Sequence, residues 1–285
     1  MGGNLCVTAL REGWEVHTID TTVRQGVPGA VWHALDITDA VSLRRLFEEI
    51  QPSAAVNLAA VADIDRAERE RELAWAVNVE AARAISEACA HRNVHCIYFS
   101  SDAVFAGTAD TYGEEDPVGP VNWYGHTKVE GEKAVFTAHP RAAAVRVSLA
   151  LGFPVTGAGN SFFAGLEARL KEDREIPCPR DEIRTPVDVI TLAQCVMELV
   201  SLRFSGIIHI GSTDHIDRLS LTKRAAELMG YPKARVVAQE SAAGQQGRAA
   251  RHKNGKISVT KAQRILKTPL LTVERSIRRA IEERM

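Results

Sequence analysis

Residues 54–100 contain two short apolar segments, AAVNL at Ala54–Leu58 and VHCIYFS at Val94–Ser100, with a helical pattern over Ala74–His91 between them. Each short segment has the length and apolar character of a buried strand, while the middle carries apolar residues at helical spacing. Two buried strands joined by a crossover helix are the repeating unit of a parallel sheet. This part of the chain therefore predicts a strand–helix–strand unit of an α/β protein.

The same alternation continues on both sides of this unit. The further predicted strands are Glu15–Ile19, Val31–Leu35, Ala142–Leu149 and Gly206–Ile210, and the further predicted helices are Asp39–Ile50, one beginning near Asn122, and Val187–Leu202. Strands and helices that alternate over this length predict a doubly wound, Rossmann-type parallel sheet. At 285 residues the chain is also long enough for a smaller unit attached to this domain.

The start of the chain departs from this pattern, because a helix over Leu5–Arg11 precedes the first predicted strand. Met1–Leu5 resembles the last third of a GxxGxxG loop, whose amide groups face a dinucleotide pyrophosphate. We therefore expect that the first strand of the sheet is missing, that Gly2 lies beside the cofactor, and that the chain folds or binds dinucleotide poorly without upstream residues. The alternative is that Gly2 and Gly3 belong to a flexible N-terminus.

Composition excludes several classes of protein. Charged residues make up 25% of the 285 residues and the formal net charge is -1, which predicts no overall affinity for nucleic acid or membrane. No apolar run approaches the roughly 20 residues that span a bilayer. The five cysteines are scattered and form no CxxC pair, so we expect no metal site and a cytoplasmic protein.

The end of the chain is basic, with eleven Lys or Arg against three Asp or Glu over residues 248–285. One interpretation is a solvated helical face with basic residues near a helix C-terminus. The other is an electrostatic attraction for an anionic ligand such as a diphosphate.

The strongest chemical signal is the stretch Tyr124-Gly125-His126-Thr127-Lys128. Tyr124 and Lys128 are four positions apart, so on a helix they share one face. An ammonium near a phenol stabilises the phenolate, and we expect Lys128 to lower the pKa of Tyr124 toward neutrality. Such a pair can donate a proton to a substrate carbonyl.

A hydroxyl group at a strand end strengthens this interpretation. Ser101 follows the strand Val94–Ser100, and ligands of open α/β sheets bind at the carboxyl ends of the strands. A serine there could also serve only as a cap of the following turn. Together with the Tyr124 and Lys128 pair, it predicts a catalytic triad.

Four stretches, in this order, carry a resemblance to a known family. They are Val56-Asn57-Leu58-Ala59-Ala60, Ser100-Ser101-Asp102-Ala103-Val104-Phe105-Ala106-Gly107, Pro120–Lys128 with Gly131-Glu132, and Arg184-Thr185-Pro186-Val187-Asp188-Val189. The combination resembles the extended short-chain dehydrogenase/reductase family, and within it the dTDP-4-dehydrorhamnose reductase branch of sugar-nucleotide-binding proteins.

The resemblance implies catalytic roles for three residues. Ser101 takes the position of the hydroxyl that hydrogen-bonds the substrate carbonyl. Tyr124 takes the position of the proton donor, and Lys128 that of the residue that holds the nicotinamide ribose and lowers the tyrosine pKa.

The cofactor implied by the resemblance is NAD or NADP. Asp20 ends a strand, where a carboxylate accepts hydrogen bonds from the adenosine ribose and disfavours a 2′-phosphate, although nearby Arg24 could accept a phosphate instead. The residues expected to bind the cofactor are Gly2, Asp20, Arg24, Asp36, Ile37, Ala59, Ala60, Tyr124 and Lys128.

The implied substrate is a nucleotide-linked 4-keto sugar, with Asp102, Asn160, Arg184 and Arg248 as candidate contacts. Asn160 could also be a loop-capping residue. Two positions depart from the branch: Ala103 stands where tyrosine is typical, and Leu149 where tryptophan is typical. The sugar therefore stays open.

The resemblance implies a dinucleotide-binding domain over residues 1–150 and 187–213 and a smaller α+β substrate lobe over residues 151–186 and 214–285. The leading prediction is an NAD(P)-dependent reductase, and a homodimer is possible. The alternatives are a sugar-nucleotide epimerase or dehydratase, or a non-catalytic regulatory subunit similar to that of methionine adenosyltransferase. Retention of Ser101, Tyr124 and Lys128 favours catalysis.

Overall fold

The computed structural model describes residues 1–21, 26–156, 161–240 and 248–284. The helices are α1 (Gly2–Arg11), α2 (Ala40–Ile50), α3 (Ile64–Arg69), α4 (Arg71–Trp75), α5 (Ala81–His91), α6 (Trp123–Ala138), α7 (Phe162–Lys171), α8 (Val189–Leu202), α9 (Arg218–Leu228), α10 (Thr260–Ile265) and α11 (Val273–Glu282). A π-helical turn, Ala76–Glu80, joins α4 to α5, and a 3-10 turn, Asp102–Val104, follows the fourth strand.

The strands of the described residues are short. They are β1 (His17–Asp20), β2 (Val31–Ala34), β3 (Ala54–Asn57), β4 (His95–Ser101), β5 (Ala143–Val147), β6 (Leu149–Leu151), β7 (Ile176–Pro179), β8 (Ile183–Arg184), β9 (Pro186–Asp188), β10 (Gly206–Ile210), β11 (Ile216–Asp217), β12 (Val236–Gln239) and β13 (Asn254–Gly255).

The centre of the fold is a parallel sheet in the order β10-β5-β4-β3. Successive side chains of a strand point to opposite faces. In β4, Ile97 accordingly packs into a core cluster with α1 and α8, while Cys96 and Tyr98 pack into another with α2 and α5. Helices cover both faces, as buried parallel strands require. The predicted α/β Rossmann-type parallel sheet is confirmed.

The parallel strands β1 and β2 form a sheet of their own. Among the described residues no ladder joins β1 to β3, and this is the place at which the sequence predicts a missing strand. Helix α1 lies next to this interruption, and Leu5 and Ala9 pack it against the core formed with α8.

Three predicted elements differ from those observed. The helix predicted over Ala74–His91 is interrupted by the π-helical turn. The strand predicted over Ala142–Leu149 is divided into β5 and β6, and the helix predicted from Val187 begins at Val189. Residues 186–188 form β9 and pair in parallel with residues 149–151 before α8 starts. This pairing places β6 in a sheet separate from β5 and delays the start of the helix.

A second apolar cluster lies outside the central sheet. It is built from α7, α9 and α11 with β7 and β12, which pair with each other. Strand β8 carries β11 on one side and β13 on the other. These elements fall largely within the residues predicted for the substrate lobe, and the proposed domain boundaries stay a prediction.

Candidate active site

The candidate site lies at the carboxyl ends of β3 and β4, next to the first turn of α6. Asn122 caps α6, because its side-chain oxygen accepts a hydrogen bond from the amide of Gly125 (2.8 Å). Tyr124 and Lys128 follow in the first two turns of that helix. The predicted helix start is therefore confirmed, and the strand end and the helix start meet at the site.

The structure brings the three predicted catalytic residues together. Ser101 ends β4, and its hydroxyl lies close enough to the phenol of Tyr124 to influence the tyrosine pKa. The Ser101 hydroxyl also donates to Oδ1 of Asp102 (3.1 Å) and accepts from the amide of Ala103 (3.1 Å). Nζ of Lys128 lies 5.9 Å from the ring centre of Tyr124.

The expected lowering of the Tyr124 pKa is wrong for this structure. Burial raises the pKa of Tyr124 to about 12; the charge of Asp102 adds to the increase, and the hydrogen bond with Ser101 opposes it. Burial also lowers the pKa of Lys128 to about 8, against the attraction of Glu132. Desolvation outweighs the attraction between ammonium and phenolate because both groups lie away from water.

Lys128 is held by contacts beneath the site. Its ammonium donates a hydrogen bond to the carbonyl of Phe99 (2.9 Å) and lies 4.8 Å from the ring centre of Tyr98. A lysine with 3% exposure requires such partners, because a buried charge without them is costly. The side chain therefore has a defined position next to Tyr124.

The π-helical turn is hydrogen-bonded both to α6 and to the loop after β3. Its Asn78 is fully buried, and Nδ2 donates to the hydroxyl of Thr127 (2.9 Å), one residue before Lys128. The Asn78 oxygen accepts from the amide of Val61 (2.9 Å). These bonds give Asn78 a structural role in placing α6.

A buried ion pair supports the other side of the site. Glu132, one turn beyond Lys128, pairs with Arg146 of β5 through N–O distances of 2.7 and 2.8 Å. The hydroxyl of Ser100 also donates to Glu132. The family motif contains Glu132, but the sequence alone does not indicate its partner in β5.

Asp102 lies in a dense polar cluster. Its Oδ2 accepts from the hydroxyl of Ser148 (2.7 Å), lies 3.1 Å from Nε2 of His252, and faces Nε of Arg184 at 3.7 Å. Burial would raise the pKa of Asp102, but His252, Arg184 and Ser148 together hold it below its ordinary value. The carboxylate is thus ionised within the protein interior.

The structure gives the guanidinium of Arg184 several protein acceptors. Nη1 donates to the carbonyls of Ile183 (2.8 Å) and Lys253 (3.1 Å), and Nη2 donates to the carbonyl of His252 (3.1 Å). Glu182 lies 3.4 Å from Nη2. The predicted contact of Arg184 with a substrate phosphate would add to these hydrogen bonds, and that contact stays a prediction.

Arg248 has a more open position. Its side chain is 49% exposed, and Nε lies 3.6 Å from Asp65. It borders a cleft of about 720 Å³ between α3, the start of α6 and residues 248–250, which Asn122, Trp123 and His126 also line. Asn160, the other predicted phosphate contact, lies outside the described residues.

The predicted cofactor residues lie around the strand ends. Gly2 begins α1, and Asp20 ends β1. The amide of Ala59 donates a hydrogen bond to the side-chain oxygen of Asn57 (3.1 Å), and Ala60 is the next residue. Asp36 is exposed and accepts from the amide of Thr38 (2.9 Å) and from its hydroxyl (2.8 Å), which lowers the Asp36 pKa; Ile37 lies between them. Arg24 lies outside the described residues.

Two observations fit a dinucleotide at this place. Helix α1 has no side-chain cap at its N-terminus, so amide groups of its first turn are available to an anion. Nδ2 of Asn57, buried at the carboxyl end of β3, has no hydrogen-bond partner among the described residues. Sequence reasoning missed this atom, although Asn57 belongs to a family motif.

The two departures from the family pattern lie next to Ser101 and in the second apolar cluster. Ala103 is 2% exposed and forms part of the 3-10 turn after Ser101. Leu149 begins β6 and packs against the apolar cluster of α7, α9 and α11. Sequence reasoning also missed His252 and Ser148, which no local pattern connects to Asp102.

The fold is a parallel sheet covered by helices, and its site holds a tyrosine and a lysine one helical turn apart beside a strand-end serine. This combination defines a Rossmann-type protein of the extended short-chain dehydrogenase/reductase class. The family model described as RmlD substrate binding domain matches residues 1–285, and the chain belongs to this family. The resemblance predicted from the motifs is confirmed.

Named reductases of other organisms are similar to this chain. A dTDP-4-keto-6-deoxy-D-glucose reductase of Streptomyces niveus is 32% identical over 207 residues, which cover 72% of this chain and 70% of the relative. The probable low-salt glycan biosynthesis reductase Agl14 of Haloferax volcanii is 29% identical over 232 residues, covering 80% of this chain and 77% of the relative.

A solved structure supports the fold. The dTDP-4-dehydrorhamnose reductase of Bacillus anthracis, crystallised in complex with NADP, has a TM-score of 0.84 at 24% identity and covers 94% of this chain and 99% of its own. At that identity the match establishes the fold. In the part of the chain that the structure describes, no helix is long and apolar enough to cross a membrane.

Proposed function

We propose that this chain is an NAD(P)-dependent reductase that acts on a nucleotide-linked 4-keto sugar. The observation that carries the proposal is the position of the Ser101 hydroxyl beside the Tyr124 phenol, with the ammonium of Lys128 5.9 Å from the tyrosine ring centre. The three groups meet where ligands of open α/β sheets bind. Relatives whose names describe keto-sugar reductases support the reaction class.

The residues around the strand ends would hold the cofactor. Amide groups at the start of α1, from Gly2 onward, would face its pyrophosphate, and Asp20 would accept hydrogen bonds from the adenosine ribose. Asp36 and Ile37 would lie beside the adenine, and Ala59 and Ala60 would permit close approach of the backbone. When bound, the reduced nicotinamide supplies a hydride to the carbonyl carbon.

The chain's own residues perform the proton chemistry. Ser101 would turn its hydroxyl hydrogen toward the substrate carbonyl oxygen and hold it next to Tyr124. The phenol of Tyr124 would then donate its proton to that oxygen as negative charge develops there. Burial and the charge of Asp102 keep Tyr124 protonated before the reaction, which suits a proton donor.

The substrate would lie between the catalytic residues and the lobe. A nucleotide-linked sugar carries a diphosphate, and guanidinium groups bind phosphate through paired hydrogen bonds. Arg248, exposed at the cleft beside α6, is the more accessible of the two candidate arginines, and Arg184 lies deeper. Asp102 and Asn160 complete the proposed set.

The experiment is turnover with a panel of nucleotide-linked 4-keto sugars and either reduced nicotinamide cofactor. A reductase oxidises one NAD(P)H per product, so the cofactor absorbance falls in proportion to alcohol formed. An isomerised sugar without lasting absorbance change would indicate an epimerase and contradict the proposal. No turnover together with a stoichiometric bound partner would contradict it in favour of a regulatory subunit. Cytoplasmic location and a homodimer stay predictions.

A further inference from the structure

Residues 248–257, called the strap below, run past the catalytic elements. The side chain of Asn122, the cap of α6, donates to the carbonyl of Ala250 in the strap (2.9 Å). Two residues later, Nε2 of His252 lies 3.1 Å from Oδ2 of Asp102. A segment distant in sequence therefore contacts both the start of the catalytic helix and the residue that follows Ser101.

Other bonds hold the strap on both sides of His252. The guanidinium of Arg251 binds Asp65 with N–O distances of 2.7 and 2.9 Å. Nδ2 of Asn254 donates to the carbonyls of Ala109 and Asp110, both at 2.8 Å. His252 is thus placed by backbone and side-chain contacts that are independent of its own ring.

The ring of His252 is enclosed and has one polar partner. Its side chain is 3% exposed, and Nδ1 has no hydrogen-bond partner among the described residues. Because Nε2 faces an ionised carboxylate, it acts as a hydrogen-bond donor to Asp102. Gly255 makes this approach possible, since a Cβ atom there would lie 2.8 Å from Nε2 of His252.

The two carboxylate oxygens of Asp102 have different partners. Oδ2 accepts from the Ser148 hydroxyl, lies 3.1 Å from Nε2 of His252 and forms an ion pair with Arg184, whereas Oδ1 accepts from the hydroxyl of Ser101. A serine hydroxyl has a single hydrogen. In this structure that hydrogen points at Asp102, and it must leave Asp102 before Ser101 can donate it to a substrate carbonyl.

We propose that His252 is a positioning residue that acts through Asp102 on the hydroxyl of Ser101. When Ser101 turns its hydrogen to the substrate, the buried carboxylate of Asp102 loses one donor. His252 remains as a donor to the other oxygen, so the carboxylate stays satisfied and keeps its orientation. Without His252, Asp102 would hold the Ser101 hydrogen more strongly or rotate. The inference rests on the proposed function.

The test compares two substitutions at His252. His252→Phe keeps a flat ring and removes the donor, while His252→Gln keeps an amide N–H that can reach Oδ2 of Asp102. Ser148→Ala removes a second donor to the same oxygen from a different element, and it serves if His252→Phe does not fold. The exposed His91 supplies matched controls, His91→Phe and His91→Gln.

We expect His252→Phe to lower kcat by about 10- to 100-fold, the cost of a misplaced catalytic group. The KM values should stay near those of the parent, and the solvent deuterium isotope effect on kcat should change; the melting temperature should fall, because a buried carboxylate loses a donor. His252→Gln should restore most of the loss, and Ser148→Ala should show the same pattern as His252→Phe. Equal losses of kcat in the Phe and Gln variants would overturn the proposal.

A second readout does not depend on turnover. In a crystal structure of the His252→Phe protein, we expect the Asp102 carboxylate to rotate or the Ser101 hydroxyl to move. Unchanged positions of both side chains would overturn the inference. If the parent protein reduces no keto sugar, the proposed function fails, and these structures still decide whether His252 positions Ser101.

Discussion

The ammonium of Lys128 lies 5.9 Å from the ring centre of Tyr124, yet its hydrogen bond goes to the carbonyl of Phe99. The two residues share one helical face, as their spacing predicts. Burial nevertheless favours the neutral form of each, which gives a pKa of about 12 for Tyr124 and about 8 for Lys128. Folding with a charged Lys128 therefore costs free energy.

This cost predicts a pH-dependent effect of Lys128→Met on stability. The lysine pKa falls from its ordinary value of 10.5 to about 8 on folding, so the unfolded chain binds the proton more tightly. The cost of folding is complete below pH 8 and disappears above pH 10.5, and it amounts to about 3 kcal/mol. Relative to the parent, the variant should gain stability below pH 8 and lose that gain toward pH 10.5.

Urea denaturation of both proteins below pH 8 and near pH 10.5 measures this difference. Lys128→Met also removes the hydrogen bond to Phe99, which shifts the difference equally at every pH. A difference that does not change with pH would show that the lysine keeps its ordinary pKa in the folded protein. Activity should be lost at every pH.

Tyr124→Phe removes the proposed proton donor and keeps the ring. We expect turnover to fall by about 10² to 10⁴-fold, because a positioned proton donor contributes that much to the rate. Cofactor oxidation with a keto sugar measures the effect. Tyr231→Phe, in the lobe cluster, is the matched control and should retain activity. Similar rates in both variants would rule out Tyr124 as the proton donor.

The buried pair of Glu132 and Arg146 should be important for stability. Glu132→Gln leaves the Arg146 charge in the interior without its counter-ion, and removal of one partner of a buried pair costs about 3–5 kcal/mol. Glu130→Gln on the same helix breaks the exposed pair with Lys133, which is worth about 0–1 kcal/mol. Denaturant unfolding of the two variants should separate them clearly, and equal effects would contradict this assignment.

Gly255 should tolerate no larger residue. A Cβ atom there would press on His252 and on the Asp102 carboxylate, and overpacking of this kind costs about 1–3 kcal/mol. We expect Gly255→Ala to lower both kcat and the free energy of unfolding. Gly165→Ala, on an open face of α7, should instead raise stability by about 0.5–1 kcal/mol. Full activity in the Gly255→Ala protein would show that the cluster is not tightly packed.

Asp20 should influence the choice of cofactor. A carboxylate at the end of β1 accepts hydrogen bonds from the ribose of NADH and repels the 2′-phosphate of NADPH. Asp20→Ala should therefore raise the KM for NADH and lower the KM for NADPH. Steady-state kinetics with both cofactors test this, with Asp36→Ala as the comparison. An unchanged ratio of the two KM values would place the ribose elsewhere.

Much of the fold follows from local pattern. Apolar segments such as Ala54–Leu58 and Val94–Ser100 predict strands because strand side chains alternate between two covered faces. The spacing of Tyr124 and Lys128 places them on one helical face for the same kind of local reason.

The sequence by itself therefore determined the strand and helix order, the family motifs and the proximity of Ser101 to Tyr124, since each depends on periodicity or on the ends of adjacent strands. Only the tertiary structure decided the partners of Asp102, because His252 lies 150 residues away in the sequence and comes next to it only in the folded chain. It also decided the pKa values of Tyr124 and Lys128. Those depend on how much water the surrounding fold removes, which no local pattern of residues records.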